Sequence, residues 1–96
     1  MTWEELVADV TARYPLHESK MFGMPCLKRE NGKVVAGHWK DGELTVKLTD
    51  ATAREQALAL PGVEFFDPGM GRAMREWVLV PKALSDEWLR LVEQAV

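Results

Sequence analysis

The sequence predicts an α+β domain: a mostly antiparallel sheet with three helices, in the order α-βββ-α-ββ-α. Three observations carry this. Two S/T-x-x-E capping boxes, Thr2 with Glu5 and Thr52 with Glu55, each open a short stretch of helical character. Two dipeptides that supply the positive φ angles of tight hairpins, Asn31-Gly32 and Asp41-Gly42, punctuate the region between them. After the second box, an apolar run from Glu76 to Val80 carries large side chains on both alternating faces, as an interior strand does. Helices at both ends of the strands place the helices together on one face of the sheet.

Each element follows from local chemistry. Behind Thr2, the residues Trp3, Leu6, Val7, Val10 and Tyr14 recur at helical spacing, so residues 3–14 read as an amphipathic helix that Pro15 ends. Residues 20–27, Lys-Met-Phe-Gly-Met-Pro-Cys-Leu, read as the hinge into the sheet, with Gly23 and Pro25 turning the backbone and Met21 and Phe22 held in the core. If both hairpins close with two-residue loops, Arg29 faces Val34 and Trp39 faces Leu44. Alternation then puts Cys26, Lys28, Val35, Gly37, Trp39, Leu44, Val46 and Leu48 on the core side. The opposite, half-exposed side takes Leu27, Arg29, Val34, Ala36, His38, Thr45 and Lys47. A second helix over 52–60 stops at Pro61-Gly62, a strand covers 63–66, a Gly- and Pro-rich loop covers 67–72, and the returning strand covers 76–80. The last helix spans 86–95 with Ser85 as N-cap and Trp88, Leu91, Val92 and Ala95 facing inward.

The bulk numbers narrow the function classes. A chain of 96 residues is one domain, and 47% hydrophobic with 28% charged residues is a globular composition, which argues against disorder. Fifteen acidic against 12 basic residues, a net charge of -3, disfavours a nucleic-acid partner. No apolar run approaches the roughly 18 residues of a membrane span. The single cysteine makes no internal disulfide and the N-terminus reads as a capped helix, so a cytoplasmic location is expected.

No catalytic residue, metal or cofactor is expected. Cys26 needs a histidine within reach to act as a nucleophile, and the register places His38 on the other face. His17 and His38 are not at metal-ligand spacing. Two binding surfaces stand out. Glycine-rich turns aim backbone N–H groups at one point, so Gly69 and Gly71 in the loop after Asp67, closed over by Arg72, Arg75 and Lys20, form a candidate anion or small-molecule site. The half-exposed sheet face, with Leu27, Val34 and Ala36 beside His38 and Lys47, is too apolar for water and is expected to be covered by a protein partner or a second copy in a two-fold homodimer.

Lys20-Met21-Phe22-Gly23, then Gly32-Lys33-Val34 with the hairpin ending Val46-Lys47-Leu48, and finally Gly71-Arg72, Met74, Glu76-Trp77-Val78 and Val80-Pro81 resemble the TfoX N-terminal domain family over nearly the whole chain. The resemblance implies an α+β fold and a regulatory or interaction role, with no catalytic residues to carry over. Met24-Pro25-Cys26 stands where a glycine-rich continuation often follows Met-Phe-Gly. The second domain of the full-length competence regulators has no counterpart in these residues, so no competence function is expected.

Overall fold

Helix α1, Trp3–Arg13, begins where the capping box places it. Thr2 Oγ1 accepts from Glu5 N at 3.1 Å and Glu5 Oε1 accepts from Thr2 N at 2.8 Å, which satisfies two otherwise orphaned donors. The computed structural model describes residues 1–69 and 71–96. After α1 come β1 (Leu16–Met21), β2 (Met24–Arg29), β3 (Val34–His38), β4 (Leu44–Lys47), α2 (Ala51–Leu58), β5 (Glu64–Phe66), β6 (Met74–Val80) and α3 (Trp88–Ala95). The strands form one antiparallel sheet in the order β1-β2-β3-β4-β6-β5, with β6 interior as its two apolar faces require. The α+β class and the order of helices and strands are those expected, with one further strand, β1, ahead of the meander. No helix among the described residues is long and apolar enough to cross a membrane.

Two caps differ from the sequence reading. Helix α2 starts at Ala51 because the Asp50 carboxylate accepts from Ala53 N at 2.8 Å, and aspartate caps at least as well as Thr52. Ser85 does not cap α3. It sits inside a 3-10 turn, Lys82–Glu87, and accepts from the N-terminal ammonium of Met1.

The register decides which side chains are inside. Leu27 pairs with Ala36, Ala36 with Val46 and Val46 with Val78, while His38 pairs with Leu44 and Leu44 with Val80. These residues share the helix-covered face, where the apolar ones pack in one cluster with Trp3, Leu6 and Val10 of α1, Ala57 of α2 and Leu91 and Val92 of α3. This corrects the expected faces. The Asp41-Gly42 turn has the two positive φ angles foreseen, 59° and 75°, but Trp39 rather than Lys40 donates to the Glu43 carbonyl. One extra residue on the β3 side makes His38, not Trp39, face Leu44, and a slip of one residue sends every side chain of a strand to the other face. The loop at Asn31-Gly32 is also one residue longer than assumed, with Arg29 N donating to Lys33 O, and the register shift between Leu27 and Lys28 compensates for it.

Two consequences follow. Leu27 and Ala36, expected at a dimer surface, are fully buried under α1 and α3, and the half-buried Val34, His38 and Lys47 no longer share one open face with them. Thr45, expected to be exposed, is also fully buried, on the helix-free face with Met24, Cys26, Phe66 and Trp77. Leu44 and Val46 are buried as expected.

Candidate functional site

The helix-free face ends in a cleft of about 490 Å³ to which three connections contribute: Phe22, Gly23 and Met24 from the β1–β2 turn, Trp39 and Lys40 from the β3–β4 turn, and Pro68 from the β5–β6 loop. Its Trp39 wall is backed by an aromatic cluster. Trp39 meets Phe66 edge to face, with centroids 4.9 Å apart and planes at 81°, and Phe66 touches Trp77 at 6.4 Å. Lys40 Nζ stands 5.2 Å from the centroid of the Trp39 ring, which puts a cation on an otherwise apolar rim.

Gly37 shapes the floor. A Cβ there would lie 2.6 Å from Met24 Cε, so the Met24 side chain crosses the sheet through the space that the missing side chain of Gly37 leaves. The thioether is then held against the sheet as an adaptable apolar surface.

Phe22 is the unusual residue. It occupies the first position of a two-residue turn with φ of 53°, followed by Gly23 at 77°, and the residue is 67% exposed. Both positions of such a turn suit Gly, Asn or Asp, and the left-handed region costs another L-residue about 1 kcal/mol or more. Phe22 bears that strain without burying its ring. The expectation that it belongs to the core is thereby corrected: β1 and β2 close as a hairpin, Met21 opposite Met24, and the turn carries Phe22 outward.

Among the described residues, no hydrogen bond joins the Cys26 thiol to a histidine. Cys26 is buried on the helix-free face, and burial pushes its thiol up from the ordinary value, with Glu18 adding to this and Lys28 opposing it. His38 lies on the opposite face between Trp3 and Trp88. Beyond the β3–β4 turn, the Glu43 carboxyl is pushed up chiefly by burial, then by Asp41 and Glu64. No three His, Cys, Asp or Glu side chains among the described residues converge as a metal site.

The expected anion site is not brought together. Arg72 and Arg75 line an open groove with Ala73 and Met74, whereas Lys20 lines a separate one with Glu18, Ser19 and Pro25. Gly69 and Gly71 have positive φ, Gly69 N donates to Asp67 Oδ1 at 2.9 Å, and Met70 between them lies outside the described residues. The aromatic cleft itself was not foreseen in the sequence, although a glycine between two apolar residues at the Met-Phe-Gly-Met step is a hairpin signal. The polar run His17-Glu18-Ser19-Lys20 concealed the edge strand that makes it one. Comparison with protein-family models, with curated proteins and with solved structures finds no match to this chain.

Proposed function

We propose that this protein is a small non-enzymatic binding module of the regulatory or protein-interaction kind, related to the TfoX N-terminal domain, and that the Phe22–Trp39–Pro68 cleft is where it holds its partner. The observation that carries the reading is Phe22, a large apolar side chain kept in water at a strained turn position beside an apolar cleft. Two of the three segments behind the resemblance also meet on this side of the sheet: Phe22 and Gly23 form one wall, and Trp77 lies under Phe66 behind it. The occupant is an extended segment of a partner protein that presents an aromatic or aliphatic side chain next to an acidic one. The apolar lining takes the first and Lys40, at the rim over Trp39, takes the second.

Selection of a displayed peptide library against the whole chain tests this. Enriched peptides should share an apolar residue beside Asp or Glu, and their binding should shift the indole resonance of Trp39. Phe22→Asn should weaken that binding by about tenfold or more while raising the melting temperature, because asparagine suits the turn and phenylalanine is a typical hot-spot residue. No enrichment, or peptides that bind the variant equally well, would overturn the reading. The competing reading, anion or small-molecule binding by the Asp67–Arg75 loop, is supported less, because Lys20 lies in a different groove from Arg72 and Arg75.

A further inference from the structure

We propose a second, separate site: a cleft at the far end of the sheet that binds a phosphomonoester through Arg29, Lys33 and Lys47. The cleft has a volume of about 310 Å³, at the lower end of the roughly 300–1,000 Å³ of small-molecule sites, and is lined by Arg29, Asn31, Lys33, Val34, Val35, Lys47, Thr49 and Ala95. The ends of three strands meet there. β2 supplies Arg29, the approach to β3 supplies Lys33, and β4 ends on Lys47. In a chain with a net charge of -3 and only 12 basic residues, three of them converge on a cleft with no Asp or Glu in its lining.

The ion pairs among the described residues use Arg13 and Arg90, and none involves Arg29, Lys33 or Lys47. Glu30, the neighbouring carboxylate in the chain, lines the groove on the other side of Arg29 with Pro15 and Leu16. Three like charges facing one space repel one another, and an oxyanion placed between them converts that repulsion into attraction.

The guanidinium is also set in place. Arg29 Nη2 donates to Ala95 O at 2.7 Å, the carbonyl at the C-terminal end of α3, which anchors the fork and offsets the negative end of the helix. Nε and Nη1 make no protein hydrogen bond among the described residues, and because only one of the two Nη2 N–H groups is used, one two-pronged edge of the fork is left to meet a phosphate. Asn31 is oriented too, because its Oδ1 accepts from Lys33 N at 3.0 Å and leaves its amide N–H₂ to donate. Thr49 adds a hydroxyl, and Val34 and Val35 give an apolar wall against the ester carbon. A dianionic phosphate with one organic substituent satisfies this donor set better than a monocarboxylate, which has two oxygens to offer.

The test titrates the ¹⁵N-labelled chain with glycerol phosphate, inorganic phosphate and, at matched ionic strength, sodium chloride, following the amides of Lys33, Val34 and Thr49 and the Arg29 Nε–H. Glycerol phosphate should give saturable shifts that chloride does not. Lys33→Gln with Lys47→Gln should weaken binding about tenfold or more, as loss of charge-assisted hydrogen bonds does. Arg72→Gln with Arg75→Gln should leave binding unchanged, and both double variants should keep the wild-type circular dichroism. Inorganic phosphate binding as tightly as the ester would assign the site to free phosphate and overturn the ester proposal. Shifts reproduced by chloride, no saturation, or unchanged binding in the double-lysine variant would overturn the site altogether. An oligonucleotide that binds with steep salt dependence while glycerol phosphate does not would replace the small ligand with a polyanion.

Discussion

His38 and Trp3 lie face to face, with ring centroids 5.4 Å apart and planes inclined by 7°, and Trp88 meets the same imidazole edge-on at 6.4 Å. The stack ties the end of β3 to both α1 and α3. Trp3 is fixed in turn by donation from its Nε1 to Glu18 Oε2 at 3.1 Å, which draws in the edge strand β1. His38→Ala should therefore destabilise the domain by about 1–2 kcal/mol, the combined scale of an aromatic contact and a partly buried side chain. Urea unfolding followed by tryptophan fluorescence measures it. An unchanged midpoint would show that the two indoles close over the gap without loss.

The strand β4 alternates between two buried faces, and its two sides answer differently to substitution. Val46→Asp places a carboxylate among Ala36, Val78 and the helices and should leave the chain unfolded at 25 °C. Thr45 faces the other way, and its Oγ1 is buried with no hydrogen-bond partner among the described residues. Thr45→Val keeps the shape and removes the unsatisfied hydroxyl, so it should be neutral or stabilise by up to about 1 kcal/mol. A thermal melt separates the outcomes: a loss above that size would mean that the hydroxyl has a partner in solution.

At Gly37 the expected effect passes through Met24. The methyl of Gly37→Ala meets Met24 Cε at 2.6 Å and displaces the flexible end of the thioether from the floor of the aromatic cleft, at a cost of about 1 kcal/mol or less. Met24→Ala has its own cost but removes the clash, so the double variant should be more stable than the sum of the singles by at least about 0.5 kcal/mol. Additive effects in a denaturation cycle would place Met24 elsewhere.

Acid should loosen the contact between the first and last helices. Arg13 Nη1 lies 2.7 Å from Glu93 Oε2, and the Tyr14 hydroxyl donates to the same oxygen at 2.9 Å. The Arg13 hydrogen bond first, and the Tyr14 bond second, hold the Glu93 carboxyl below its ordinary value. A carboxylate depressed in the folded state lends stability that is present above its unfolded pKa, about 4.3, and is lost as pH falls through the folded value. The melting temperatures of wild type and Glu93→Gln should thus differ at pH 7 and draw together as pH falls from about 4.3 through the lower folded value. An equal difference at pH 3 and pH 7 would show that the carboxylate charge plays no part.

The sequence by itself determined α1, its cap and its apolar stripe, the interior character of β6, and the positive φ angles at Asp41-Gly42, because each depends on residues within one or two turns of one another. It also placed Trp3, Trp77 and Trp88 inside, since the period of a helix or strand assigns their side. It did not determine which face of β2 and β3 joins β4. That rested on whether Lys40 or Trp39 donates to Glu43, a difference of one residue in a bulge, which packing of His38 between Trp3 and Trp88 settles from the far ends of the chain. The same slip moved Leu27 and Ala36 from a supposed interface into the core and put Trp39 beside Phe66. Both sites share this dependence on the fold. Phe22, Trp39 and Pro68 come from three connections far apart in the chain, and Arg29, Lys33 and Lys47 from the adjoining ends of three strands and the turn before one of them, so only the closed sheet brings each set to one place.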